Sequence, residues 1–209
     1  MVNCESLVQK FCDRATVIKW LSEQVSPRRL QHILGVEQTS LELAKIHGLN
    51  ELDQQKCAVA GLMHDLAKFF PPERLLAMAE QAGIPIDPIC QTHPHLLHAD
   101  ISAIVAKKEF GITDPAILNA IANHTLGAGD MDQISMIVFI ADAIEPNRGD
   151  NPQLQQIREI SQKNLYEAVL LTCDYSLTYL IKNRKVIHPR TVATRNWALQ
   201  KSNKSRTGK

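Results

Sequence analysis

His64 and Asp65 stand side by side at the end of an apolar run, residues 58–63, and Lys68 follows three residues after the aspartate. Two metal-ligand types so placed are headed for the interior, where an unpaired carboxylate is costly and must be hydrogen-bonded, ion-paired or metal-bound. Adjacent positions on a helix splay by about 100°, so a single ion could reach both only if it sat against that helix, with further ligands from other segments. His32 lies upstream, and His98, His124 and Asp142 follow, each near the end or middle of a helical segment. His32, His64, Asp65 and Asp142 together offer two imidazoles and two carboxylates. That mixture suits iron, manganese, cobalt or zinc, whereas magnesium alone would favour oxygen throughout. Taken singly, each histidine reads best as a hydrogen-bonded structural residue; the cluster gains weight because separate partners would otherwise be needed for every one of these groups. His93 and His95 fall in a proline-rich loop and read as surface residues, and His47 before Gly48 as a helix C-terminal residue complementing the helix dipole.

The elements that must carry these residues are helical. Apolar residues from Leu7 to Val25 recur at helical spacing and predict a first helix over 6–25. Ser26-Pro27 opens a second, running to Gly48 with His32 near its start. Asn50 with Asp53 resembles a capping box for a third helix, apolar all round, which carries His64 and Asp65, puts Lys68 on the face of Asp65, and ends at Phe69-Phe70-Pro71-Pro72. A fourth follows over 72–82, then a loop over 84–94 containing Pro85, Pro88 and Pro94. Helices are expected over 96–110, from Asp114-Pro115 to His124, and over 133–145, where a strongly apolar stretch leads to Asp142. Two more start at Asn151-Pro152 and at Asn164, the latter running to about Arg184. No segment alternates with the period of a strand.

With 209 residues the chain can bury one sizeable core. The expected division is a domain over 26–200, a helical extension over 1–25, and a basic tail over 201–209 expected to be disordered. A formal net charge of +1 argues against a surface devoted to nucleic acid or membrane, so an anionic substrate would be met by local charge. Five cysteines without a Cys-x-x-Cys pair indicate free thiols and a reducing cytoplasm rather than a disulfide framework. There is no signal-peptide core and no membrane-spanning run.

The order His32, His64-Asp65, Asp142 resembles the HD superfamily of metal-dependent phosphohydrolases, whose fold is an all-α helical bundle. The blocks Arg29-x-x-His32, Ala60-Gly61-Leu62-x-His64-Asp65-x-x-Lys68, His98, Asn123-His124-Thr125, Ala141-Asp142-x-x-Glu145-Pro146-x-Arg148 and Ile187-His188-Pro189 are similar to the YqeK type, the symmetrical bis(5'-nucleosyl)-tetraphosphatases. The resemblance spans about residues 27–200. It implies that His32, His64, Asp65 and Asp142 hold a transition-metal ion, iron foremost, with manganese, cobalt or zinc as alternatives. His98 and His124 would face the phosphates or help to hold a second ion. Arg29, His32, Lys68, Thr125, Arg148 and the segment Ile187, His188, Pro189 would line the substrate site. Arg190 departs from the pattern, standing where an acidic residue is expected, and Arg28 reads as structural.

The activity so implied is metal-dependent hydrolysis of diadenosine tetraphosphate to two ADP in the cytoplasm. Asp65 would orient the attacking water and Lys68 would stabilise phosphoryl charge. The expected partners are the dinucleoside polyphosphate, the ADP product and a second subunit in a homodimer, with neither nucleic acid nor membrane. Two alternatives stand beside it: within enzymes, a different HD phosphohydrolase acting on nucleoside 5'-monophosphates or guanosine polyphosphates, and from another class, a non-catalytic regulatory module binding metal and nucleotide.

Overall fold

The computed structural model describes residues 11–207. Eleven α-helices account for its architecture, and no strand occurs among the described residues: α1 (Arg14–Gln24), α2 (Pro27–Ile46), α3 (Glu51–Met63), α4 (Pro72–Gln81), α5 (Pro88–Thr92), α6 (His98–Phe110), α7 (Pro115–Asn123), α8 (Gln133–Ile144), α9 (Pro152–Ser161), α10 (Leu165–Lys182) and α11 (Pro189–Thr207). Short 3-10 turns at Pro94–Leu97 and Pro146–Arg148 lead into α6 and out of α8. This is the all-α class expected from the periodicity.

Most helix starts follow the capping chemistry of the sequence. The Ser26 hydroxyl accepts the Arg29 N–H with Pro27 in the first turn, and the side chains of Asn50, Asp114, Asn151 and Asn164 accept in the same way. Each such cap contributes about 1 kcal/mol. Helix α1 begins at Arg14, where Asp13 caps it, so Phe11 and Cys12 lie outside it; residues 6–10 of the expected helix fall outside the described residues. Val17 and Leu21 of α1 are fully buried in the common core, so the extension is part of the same packing unit.

Helices α2, α3 and α8 make the frame. Helix α3 is buried along its length from Cys57 to Met63, and α8 from Ile134 to Ala141. Gly61 is the point of closest approach between α2 and α3: a Cβ there would sit 3.0 Å from the Val36 carbonyl oxygen and the Glu37 Cα. Backbone cannot yield as a flexible side chain would, so a hydrogen at Gly61 lets the two helices that carry His32 and His64 meet.

Three expectations are corrected. Helix α3 stops at Met63, and residues 64–69 continue as tight turns with N–H groups bonding three residues back, from Lys68 to Asp65 and from Phe70 to Ala67. The Ala67 N–H is taken by the Ser102 hydroxyl of α6 at 2.9 Å, so a neighbouring helix satisfies the backbone that the ended helix frees. The proline loop contains helix α5, capped by Asp87. The tail is helical through Thr207 as part of α11, and Ser202 is buried with its hydroxyl bonded to Glu167. The cysteines among the described residues are unpaired thiols.

Candidate metal centre

His32 enters from the second turn of α2, His64 and Asp65 from the turn that ends α3, and Asp142 from the last turn of α8. Their donor atoms converge. His32 Nε2 lies 3.1 Å from Asp142 Oδ1 and 4.0 Å from Asp65 Oδ2, and His64 Nε2 lies 3.8 and 3.5 Å from the same two oxygens. Ligands held at about 2.1 Å around one ion stand about 3 to 4 Å apart, so the spacing is that of a coordination shell.

The tautomers show what these atoms are for. His64 Nδ1 donates its proton to the Gly61 carbonyl at 2.7 Å, and His32 Nδ1 donates to Glu145 Oε1 at 3.0 Å. Both protons being spent there, each Nε2 carries a lone pair, and both Nε2 atoms are buried without a hydrogen-bond partner. A lone pair aimed at carboxylate oxygens is unfavourable unless a cation lies between them. The site therefore fits a metal ion. Two guanidinium groups reach the same oxygens: Arg29 Nη1 lies 2.9 Å from Asp65 Oδ2, and Arg148 Nη2 contacts Asp142 Oδ1.

Asp65 faces a second group with its other oxygen. Oδ1 lies 3.3 Å from His98 Nε2 and 3.6 Å from His124 Nε2, while those two nitrogens are 3.1 Å apart. These imidazoles follow the same rule, His98 Nδ1 donating to the His95 carbonyl and His124 Nδ1 to that of Ile121. Thr125 Oγ1 bridges the two Nε2 atoms at 3.1 and 3.0 Å, and Lys68 Nζ comes within 3.2 Å of His98 Nε2. One carboxylate thus joins two histidine pairs.

Electrostatics sets the charges. Burial raises the Asp65 carboxyl, but the positive charge that gathers among the surrounding imidazoles, a proton or a metal ion in its place, outweighs it and holds the acid well below the usual range. Asp142 is likewise raised by burial, which the same shared positive charge at His32 and the Arg148 guanidinium more than offset. Burial, helped by Lys68 and His124 against the pull of Asp65, lowers His98 to about 4. At neutral pH, then, two carboxylates are charged and His98 is a neutral lone-pair donor.

Glu145 is the residue whose part the sequence reading missed. It is 1% exposed, accepts from His32 Nδ1 and from the backbone and side-chain nitrogens of Asn147, and fits because Gly35 leaves room: a Cβ there would be 2.5 Å from Glu145 Oε2. A carboxylate behind a ligand histidine fixes its ring and raises its basicity. The available signal was a glutamate directly before Pro146, at the end of a buried helix and three residues after Asp142.

Two clefts flank the cluster. One, of about 390 Å³, is lined by Ser26, Arg28, Arg29, His32, Asn147 and Arg148, with Glu145 behind. Arg28, read as structural, therefore shares a cationic wall with Arg29 and Arg148. The other, of about 330 Å³, reaches from His124, Thr125, Asp142 and Arg148 towards α9 and α10. Ile187, His188 and Pro189 line neither. His188 instead bonds Asp87 Oδ2 at 2.8 Å through Nε2, beside Cys90 Sγ at 3.7 Å. Arg190 turns inward, its guanidinium bonding the carbonyls of Ala122 and Gly127 and the Asn123 side chain at the end of α7, next to His124.

Comparison with known proteins agrees with this geometry. The family model for the HD domain matches residues 29–147, which contain all the residues of the double cluster. A symmetrical bis(5'-nucleosyl)-tetraphosphatase of Bacillus subtilis is 30% identical over 91% of this chain and 100% of its own length, and one of Halalkalibacterium halodurans is 33% identical over 90% and 97%. A crystal structure of an HD superfamily hydrolase of Clostridium acetobutylicum, described as involved in NAD metabolism, superposes with a TM-score of 0.83 at 30% identity, covering 90% of this chain and 97% of that one. The chain belongs to the HD domain family, in the branch that holds the symmetrical bis(5'-nucleosyl)-tetraphosphatases.

Proposed function

We propose that this protein hydrolyses diadenosine tetraphosphate at its central anhydride to give two ADP, with His32, His64, Asp65 and Asp142 holding the first metal ion. The observation that carries the reading is the pair of buried, unpartnered Nε2 atoms of His32 and His64 facing the oxygens of Asp65 and Asp142. Asp65 Oδ1, His98 and His124 would hold a second ion. Iron is the preferred occupant, a choice that rests on the family resemblance and agrees with the mixed donors. A bound ion would supply Lewis acidity and a nucleophile at neutral pH.

The chain's own residues do the rest. Asp65, ionised and shared between the two histidine pairs, is placed to orient the attacking water. Lys68, 3.2 Å from His98, and Arg148, beside Asp142, carry fixed positive charge to where phosphoryl oxygens would gather negative charge. Arg28 and Arg29 extend that charge along the first cleft and suit the phosphates of the departing half. That half leaves as an ADP anion, which needs little protonation, so no dedicated acid is required at the leaving oxygen. Once one nucleoside and its first two phosphates are seated, the second phosphorus lies at the carboxylates, and cleavage falls at the centre of the chain.

Chromatography of the products from diadenosine tetraphosphate tests the reading. Two ADP are expected; AMP with ATP would refute symmetrical cleavage. A lack of turnover with every one of iron, manganese, cobalt and zinc would favour a binding module.

A further inference from the structure

The connection from α8 to α9 carries Arg148, which lines both clefts. Residues 146–151 are all exposed, so burial does little to fix this loop. Arg148 nonetheless meets Asp142 twice, Nε donating to its carbonyl at 2.7 Å and Nη2 to its Oδ1. Pro146 cannot continue the helix, and Gly149 turns the chain at a φ of +97°, a conformation strained for other residues. The side chain of Arg158, on α9, spans the result. Its Nε donates to the Ile144 carbonyl at 2.9 Å, Nη2 to the carbonyls of Gly149 at 2.8 Å and Glu145 at 3.4 Å, and Nη1 to Asp150 Oδ1 at 3.1 Å. The carbonyls of Ile144 and Glu145 end α8 and have no partner within it, and a cation there also faces the negative end of the helix dipole. A simple helix cap would need only those two. Gly149 and Asp150 lie past the turn, on the far side of Arg148.

We propose that Arg158 is a positioning residue for the hydrolysis and acts through Arg148, fixing the backbone from which that arginine presents its charge to the phosphates. The inference rests on the hydrolase reading above and deepens it. Arg158 itself lines neither cleft. The Arg148 N–H is bonded to the Glu145 carbonyl at 3.0 Å, and the Gly149 carbonyl follows directly after Arg148, so atoms that Arg158 holds bracket it on both sides. The Asn147 bonds to the Glu145 carboxylate lie within the loop, whereas Arg158 brings a tie from the next helix. An electrostatic donor stabilises a transition state only when it is aimed before the charge develops, and a loop without apolar anchorage needs such a tie to aim one. A lysine at this position would keep the charge but not the planar fork that meets both ends of the loop.

Arg158→Met and Arg158→Lys, each made in the wild-type and in the Arg148→Met background, test this in the manganese-loaded protein. Two quantities are read: kcat/KM for diadenosine tetraphosphate and affinity for inorganic diphosphate by calorimetry. In the wild-type background both should fall, about tenfold for Arg158→Met and about threefold for Arg158→Lys. In the Arg148→Met background neither substitution should lower them further, because the group that Arg158 positions is gone. A merely structural role costs as much in both backgrounds, so an equal fall in the two would overturn the assignment, as would wild-type values for Arg158→Met. Should Arg158→Met fail to fold, Arg158→Lys carries the same comparison. Diphosphate affinity that depends on the background in this way, in a protein that leaves diadenosine tetraphosphate uncut, would uphold the role of Arg158 and refute only the hydrolase reading.

Discussion

Among the described residues, two regions bring metal-ligand types within reach of one another, and they use their histidines in opposite ways. In the HD cluster, His32, His64, His98 and His124 all give the Nδ1 proton to a carbonyl or carboxylate, leaving four Nε2 lone pairs directed at Asp65 and Asp142. In the grouping of Asp87, Cys90 and His188, Nδ1 of His188 instead accepts the Arg190 N–H at 3.1 Å, so the proton sits on Nε2 and is donated to Asp87. Burial also raises the Cys90 thiol to about 12, with Asp87 adding to the effect, which keeps it protonated. Proximity of ligand types is common to both; the destination of the second ring nitrogen's proton separates a coordination shell from a hydrogen-bonded brace. The brace ties the α5 cap to the start of α11, whose Arg190 in turn steadies the end of α7 and hence the approach to His124.

The contrast can be tested in order of effect. Asp65→Asn should abolish bound metal and turnover together, since one carboxylate serves both histidine pairs; full metal content by elemental analysis would break the assignment. Lys68→Met should keep the metal and lower kcat/KM by about 2 to 4 kcal/mol, as loss of one electrostatic donor does; unchanged kinetics would return the lysine to a structural role.

Acidification of the metal-free protein is the third test. His98 is depressed from 6.5 to about 4, so between these values the unfolded chain binds the proton first. Its contribution to stability is complete above about pH 6.5 and lost as pH falls through 4, about 3 kcal/mol in all. Denaturant midpoints for the wild type and for His98→Ala should diverge across that window, and parallel curves would contradict it. Glu145→Gln should weaken metal affinity by about 10- to 100-fold without removing a ligand, measured by competition with a chelator. His188→Ala should cost about 1 kcal/mol of stability through its cap at α11 and leave metal content unchanged; loss of metal would place it in the shell after all.

Much of this architecture could be read beforehand because it rests on local signals. Ser26-Pro27, Asn50, Asp114-Pro115 and Asn164 announced their helices through capping chemistry that depends on a few neighbouring residues. The roles of His32, His64, Asp65 and Asp142 could be proposed because buried polar groups of these types need partners, and the family order supplied the pairing. Glu145 carried only the weaker signal of its place between Asp142 and Pro146, since its partner His32 lies 113 residues away and only the packing of α2 on α8 joins them. Helix α11 escaped the hydrophobic period for another reason. Its buried stripe is Thr191, Thr194, Ala198 and Ser202, small and mostly polar, and their burial comes from hydrogen bonds such as Thr194 to the Leu126 carbonyl. The end of α3 at Met63 was equally hidden, because the hydroxyl that receives the freed Ala67 N–H belongs to Ser102 on α6.

Hydrolysis of diadenosine tetraphosphate in oxygen-18 water bears on the whole arrangement at once, because the position of the label records which phosphorus lay against Asp65 and Asp142. Symmetrical cleavage, as named for the relatives this chain resembles, predicts two ADP, with label in one of them and on its β-phosphate alone. Label on an α-phosphate, or AMP accompanied by ATP, would mean that the substrate sits in another register and that the cleavage is not symmetrical.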